Sequence, residues 1–308
     1  DLFSPHQDII SERLSTMNYL LSERPGVVIM SAATAMQKVP PINYIRGSSF
    51  TFATGDQLNL NKQKLVLEGA GYQQTDIVTE RGQYASRGSI LDLFPMGSEF
   101  PIRLDLFDDE IETIRSFDPG TQLTIENLGQ FSILPAKEFP FDEDAIKKFR
   151  ENWHDNFQGD VRRCSVYQDV SNYMTPNGIE FFLPFFFDYT ATIFDYLEKS
   201  SRLIIQHGAG EEASNFRSEV DLRWESLRHD IERPILPPDQ LYLDTQELES
   251  IIANFSVIKI NEIDSNDTSL QKSHPIPSLR SETKPELDET EVINFVSKVS
   301  QPILFSCS

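Results

Sequence analysis

The sequence predicts an α/β protein that carries a small α+β module between α/β flanks, and three observations predict it. Short apolar runs, Val27-Val28-Ile29-Met30, Arg202-Leu203-Ile204-Ile205 and Val257-Ile258-Lys259-Ile260, alternate with helical periodicity toward both ends, the mark of strands buried on both faces of a parallel sheet. Between them, the stretch from Tyr84 to Arg115 changes to period-two alternation with tight turns, the mark of an antiparallel hairpin sheet. The composition, 39% hydrophobic and 24% charged over 308 residues, is that of a globular chain long enough for two or three domains.

Ile9, Ile10, Leu14, Met17, Leu20 and Leu21 recur at three- and four-residue steps, so the chain opens on an amphipathic helix begun by Ser4-Pro5 and stopped before Pro25-Gly26. Val27 to Met30 then reads as a buried strand and Ala32 to Met36 as a helical stub. This α/β pattern is cut off at its start, and Asp1 in place of Met reads as a portion of something longer.

Pro40-Pro41 begins a new unit. Ser49 to Ala53 alternates as a strand, Asn59 caps a helix to Glu68, and the glycines from Gly69 to Gly71 stop it. Ile102, Leu104 and Leu106 form the core face of a strand whose other face carries Arg103, Asp105 and Phe107. Asp108-Asp109 turns into a return strand from Glu110, which Asp118-Pro119-Gly120 closes. The module ends near Pro135 at about 85 residues, an ordinary domain size.

Asp142 to Trp153 reads as a helix with Ile146, Phe149 and Trp153 on one face and acidic residues favouring its N-terminal dipole. The run from Ile179 to Phe187 holds Glu180 and Pro184 and is too short to span a bilayer, so it reads as core or interdomain contact, with no membrane partner. A short helix from Ala191 to Glu198, a buried strand ending at Ile205, and a long helix from Glu211 to His229 with Ala213, Phe216, Val220 and Leu227 near one face follow. Leu241 to Leu243, Thr245 to Asn254 and Val257 to Ile260 read as strand, helix, strand. Residues 264–286 have linker composition, and a helix from Asp288 to Ser300 leads to a strand from Pro302 to Phe305.

A net charge of -21 opposes a phosphate backbone and steers association toward basic protein surfaces. Cys164 and Cys307 have no CxxC or Cys/His spacing, which fits free thiols in a reducing cytosol and argues against zinc. The five histidines are scattered, and the acidic group Asp105, Asp108, Asp109, Glu110 and Glu112 is spread over two faces and a hairpin tip, so no metal is expected. No GxxxxGK[ST] phosphate loop is present, Gln206-His207-Gly208-Ala209 lacks the carboxylates that would hold Mg²⁺, and no serine sits in a GxSxG elbow. The residues left are binding residues: Arg87 beside Gly88, Arg103, and Phe107 on a polar strand face. Arginine with an aromatic is the composition of an interface hot spot. The same composition fits a sheet covered on both faces, with Phe107 in a second core layer, Arg103 at its rim and Arg87 in an internal salt bridge.

The run from Gly82 to Glu99, with Arg103-Leu104-Asp105 and Phe107-Asp108-Asp109-Glu110-Ile111, closely resembles the amino-terminal region of the bacterial transcription-repair coupling factors. Phe3 to Asp8, Met36 to Val39, Ala70 to Tyr72, Leu134 to Ala136, Glu138 to Pro140 and Pro176 to Glu180 extend the resemblance over nearly the whole chain. It implies a layout like that of the excinuclease UvrB: a split, degenerate helicase-like α/β domain in two halves (1–48 and 136–263) around an inserted α+β domain (49–135), a linker (264–286) and the start of a further small α/β domain (287–308). It also implies that the inserted domain binds the excinuclease UvrA through Arg87, Arg103 and Phe107, which favours an exposed Phe107. An intramolecular carboxy-terminal domain is the second implied partner, while RNA polymerase, DNA, ATP and Mg belong to other domains of the full-length relatives. The acidic helicase motif is missing after Ile205 and no tyrosine-rich hairpin precedes the module, so a non-hydrolysing copy is expected. The rival reading is a piece of an ATP-dependent helicase that itself acts on damaged DNA.

Overall fold

In a computed structural model that describes residues 4–22 and 26–260, helix α1 (Gln7–Leu20) packs Leu14 and Met17 into the main core. Its N-terminus is capped by His6, whose ring accepts the Asp8 N–H. Helix α2 (Ala32–Met36) starts at a Ser31 cap and buries Met36, and strand β1 (Lys38–Val39) leads through Pro40-Pro41 into helix α3 (Ile42–Gly47). Sequence periodicity does not reveal α3, because six residues are under two turns. The expected strand at Val27 to Met30 is not formed. Val27 and Ile29 are exposed, and among the described residues no strand lies beside them to accept their backbone hydrogen bonds.

Strand β2 (Phe50–Ala53) is followed by helix α4 (Leu60–Gly69), whose first turn is fixed by the Asn59 side chain accepting the Lys62 N–H at 3.1 Å. Asn59→Ala is expected to cost about 1 kcal/mol in urea unfolding, because that donor is then left to water. Gly71 ends the turn at φ 88° and also clears the Lys137 side chain, whose Cγ would lie 2.7 Å from an added Cβ. Strands β3 (Gln73–Gln74), β4 (Gln83–Arg87), β5 (Ile90–Leu93), β6 (Ile102–Phe107), β7 (Glu110–Phe117) and β8 (Thr124–Leu128) then form one six-stranded sheet in chain order. All neighbours are antiparallel except the short β3–β4 pair. Strand β9 (Gln130–Ile133) leaves that sheet and pairs antiparallel with β2.

The inner face of the sheet, Tyr84, Leu91, Leu93, Ile102, Leu104, Leu106, Ile111 and Ile114, is buried against α4 and the remainder of the main core. Tyr84 and Tyr72 carry their hydroxyls to acceptors, Glu68 Oε1 at 2.7 Å and the Leu134 carbonyl at 2.8 Å, so neither buried phenol is left unsatisfied.

Helix α5 (Glu143–Asn156), capped by Asp142, buries Ile146, Phe149 and Trp153 as its spacing requires. They pack on the 3-10 segment Ile179–Phe186 with the short helix α6 (Ser165–Ser171) in a second, aromatic core. The apolar run of the sequence is therefore core, and no described helix is long and apolar enough to cross a membrane.

Strand β10 (Ala191–Thr192) pairs with β1 and a 3-10 turn follows, which replaces the helix expected from Ala191 to Glu198. Strand β11 (Arg202–Gln206), helix α7 (Ala209–Leu227), helix α8 (Pro238–Leu241), helix α9 (Thr245–Ile252) and strand β12 (Ser256–Ile260) complete the described chain. Leu241 to Leu243 is not a strand: Pro237 and Pro238 start a helical turn there, and Tyr242 makes one bridge to Gln37. On α7, Ala213 is buried and Phe216 and Val220 are half-buried, but Leu227 is exposed because the helix runs past the body it packs on. Strands β11 and β12 are parallel as expected, yet among the described residues they pair only with each other and leave Ile204 and Ile258 exposed. The observed class is thus mixed α/β with several sheets. The expected linker, last helix and last strand, with Cys307, lie outside the described residues.

Candidate docking face on the outer side of the sheet

Alternation carries every second residue of β4 to β8 to the outer face. The register sets out its rows: Ala85, Asp92, Arg103, Arg115 and Asn127 lie opposite one another, and the next row is Arg87, Ile90, Asp105 and Thr113. Arg103 and Phe107 flank Asp105 along β6, so the three residues singled out from the sequence share one face. Arg87 stands two strand spacings, about 10 Å, from β6.

The face is built in two halves with different physics. At one end it is a second core layer: Val78, Ala85, Phe94 and Phe117 are buried together. Gln122 closes this end by donating from Nε2 to the Val78 and Pro119 carbonyls, and Arg81 lies 5.2 Å from the Phe94 ring centre. At the other end, Phe107 stands 71% exposed at the tip of the β6–β7 hairpin. The face is covered at one end only, and the reading that put Phe107 in a second core layer does not hold: Phe107 stands at the open end.

The hairpin tip is clamped from behind. Leu58 N–H donates to the Asp109 carbonyl at 2.6 Å and Ile111 N–H to Asp56 at 2.9 Å, while Leu106 N–H donates to Ser89 at 2.9 Å. These bonds tie the two hairpin tips and the loop after β2 into one edge. Phe107 is thus an exposed aromatic on a fixed backbone, the preorganised form of an interface anchor.

Arg103 joins the two halves. Its Nε and one terminal nitrogen fork onto the Asp92 carboxylate at 2.7 and 2.8 Å, and its guanidinium lies 4.6 Å from the Phe117 ring centre. The hydrogen bonds and charge of Asp92 raise the Arg103 pKa above its ordinary value against the pull of burial. Arg115, directly opposite Arg103, pairs instead with Asp105, which also accepts from Thr113. Two arginines face each other across the strands, each held by its own aspartate. Arg87 is exposed at the end of β4 and donates to the Asp76 carbonyl, and among the described residues no carboxylate pairs with it.

Sequence reasoning missed Asp92, Asp105 and Arg115 as partners on this face. The signal was present: Ile90-Leu91-Asp92-Leu93 alternates and sends Asp92 outward. The sequence does not show which aspartate meets which arginine, because that depends on a β-bulge between Asp105 and Leu106 in the β6–β7 ladder.

Elsewhere, Cys164 is buried, and its thiol, raised above its ordinary pKa by burial, lies 3.1 Å from the Ile231 carbonyl. Among the described residues no cluster of three or more His, Cys, Asp or Glu side chains is arranged to hold a metal.

The sheet thus has a covered inner face and an outer face that carries arginines and one exposed aromatic. Residues 50–139 match the family model described as the UvrB interaction domain. The chain belongs to the transcription-repair-coupling factor family. It is 36% identical to the Haemophilus influenzae transcription-repair-coupling factor over 99% of this chain and 27% of the relative. It is 41% identical to that of Escherichia coli over 84% of this chain and 23% of the relative, and 27% identical to that of Bacillus subtilis over 64% and 18%. The chain therefore spans about a quarter of the length of the first two.

Proposed function

We propose that this chain is the protein-interaction module through which a transcription-repair coupling factor recruits the excinuclease UvrA to a lesion at stalled RNA polymerase. The observation that carries this reading is Phe107, 71% exposed on a clamped hairpin with Arg103 on the same face. The UvrB interaction domain match over residues 50–139 supports it, because a domain of that kind calls for a partner of the excinuclease type. Arg103 aligns the face, Arg87 offers its fork to a partner carboxylate, and Phe107 fills an apolar pocket on the partner.

The proposed layout keeps the inserted domain at 49–135 between the two halves of a helicase-like domain, with the linker and a further domain after residue 263. In this reading the chain has no ATPase activity of its own and works in the cytoplasm. ATP, Mg and DNA are handled by motor domains of the full-length protein, and the carboxy-terminal domain competes for the same face.

Phe107→Ala tests the reading most cleanly, because the side chain is exposed and its loss should change stability by less than about 0.5 kcal/mol. Calorimetric titration with UvrA is expected to show affinity reduced roughly thirtyfold or more, the equivalent of about 2 kcal/mol for a central anchor. Unchanged affinity in the folded variant would remove Phe107 from the site. An ATP titration of the same chain tests the rival helicase reading, and tight binding would favour it.

A further inference from the structure

Gln122 stands in the loop between β7 and β8 with φ at 63°, in the left-handed region that a side chain rarely adopts. Glycine would hold this backbone without strain, so the strain has to be offset by what the amide does. The amide makes three contacts. Nε2 donates to the Val78 carbonyl at 3.2 Å and to the Pro119 carbonyl at 2.8 Å, and Oε1 accepts from Arg103 Nη2 at 3.4 Å. The last contact is long, but its donor is charged, and that attraction falls off slowly with distance.

The loop keeps its course without this side chain. Asp118 Oδ1 accepts from the Thr121 N–H at 2.7 Å and from its hydroxyl at 2.8 Å. The Gln122 N–H donates to the Asp118 carbonyl at 2.7 Å, and the Asp118 N–H to the Leu123 carbonyl at 2.9 Å. What the side chain adds lies at Arg103. Asp92 reaches the guanidinium from β5, and Phe117 and Gln122 reach it from β7 and the loop beyond, on the two sides of β6. Asp92 takes Nε and one hydrogen of Nη2, and Gln122 takes the other hydrogen of Nη2. Among the described residues Nη1 alone is left without an acceptor.

We infer that Gln122 is a positioning residue for docking: it acts through Arg103, holding the guanidinium so that Nη1 is the nitrogen offered to an acceptor oxygen of the partner. The inference rests on the reading of this face as the surface that binds UvrA. It also states the chemistry opposite Arg103. Both paired edges of the guanidinium include Nη2, whose hydrogens are taken, so the partner supplies a single carbonyl or carboxylate oxygen and not a two-point carboxylate.

The test is calorimetric titration of the 308-residue chain with UvrA, using Gln122→Gly, which removes the amide and suits the left-handed backbone. Alone, the variant is expected to weaken binding about fivefold, a coupling of ordinary size for neighbouring groups. The same factor is expected on top of Phe107→Ala, because Phe107 lies four residues along β6 from Arg103, roughly 13 Å away. On top of Arg103→Ala no further loss is expected, because the group that Gln122 orients is gone. Asp92→Asn with Arg103→Gln serves as that background if Arg103→Ala does not fold. Unchanged or tighter binding by Gln122→Gly alone, or a fivefold loss that persists without Arg103, overturns the inference and leaves the docking reading standing. If Phe107→Ala and Arg103→Ala both bind UvrA like the parent chain, the docking reading fails and the inference falls with it.

Discussion

Phe149→Ala is expected to lose about 3–5 kcal/mol of stability, the range for deleting a fully buried aromatic. Phe149 has no exposed surface, and its ring lies within 6.5 Å of the rings of Trp153, Tyr167, Phe182, Phe185 and Phe186. The second core is built around that ring: α5 supplies it with Trp153, and the 3-10 segment supplies three of its neighbours. The 3-10 segment has few regular backbone hydrogen bonds to fall back on once the ring is gone, so its ordering depends on this packing. Urea unfolding monitored by tryptophan fluorescence is the measurement, with Phe149→Leu expected to cost roughly half as much. A loss below about 1 kcal/mol for the alanine variant would mean that the segment collapses into the space, and that the aromatic cluster does not hold α5 in place.

How much of this was legible in the sequence follows from which forces are local. Asn59 caps its helix where the sequence places it, because a cap needs only its own turn, and the helix read from Asp142 starts there with Asp142 as its cap. Ile146, Phe149 and Trp153 are buried as their spacing requires, because one strong face decides a helix. Val27 to Met30 misled for the opposite reason: an apolar run states a demand for burial between layers, and no described neighbour meets it. Leu203 and Ile204 misled in part, since β11 forms but among the described residues has only β12 beside it.

The docking face divides along the same line. Alternation alone brought Arg103, Asp105 and Phe107 to one side of β6, and the structure keeps them there. Whether that side is open or covered was not legible, because Phe94 and Phe117 come from other strands and Gln122 from a loop at φ 63°, and these close only one end. The Asp92–Arg103 fork likewise joins residues on different strands, and it appears only once the register is set.

That fork yields the second large effect. Arg103→Ala leaves Asp92, only 9% exposed, without its cation. Removing one member of a buried pair costs about 3–5 kcal/mol, but Arg103 keeps 22% of its side chain in water, so about 2–3 kcal/mol is expected. The variant also uncovers one face of Phe117, which is otherwise fully buried. Asp92→Asn combined with Arg103→Gln should recover much of the loss, because two neutral amides can bond across the same strand positions without a stranded charge. If denaturant unfolding instead shows the double variant to be as unstable as Arg103→Ala, stacking on Phe117 and not the ion pair is what Arg103 contributes. The distinction bears on binding as well. Arg103→Ala would weaken a partner both by removing a contact and by loosening the sheet face, whereas Phe107→Ala removes a contact alone. If the double variant regains stability but not affinity for UvrA, Arg103 touches the partner itself; if it regains both, Arg103 serves to hold the face on which Phe107 stands.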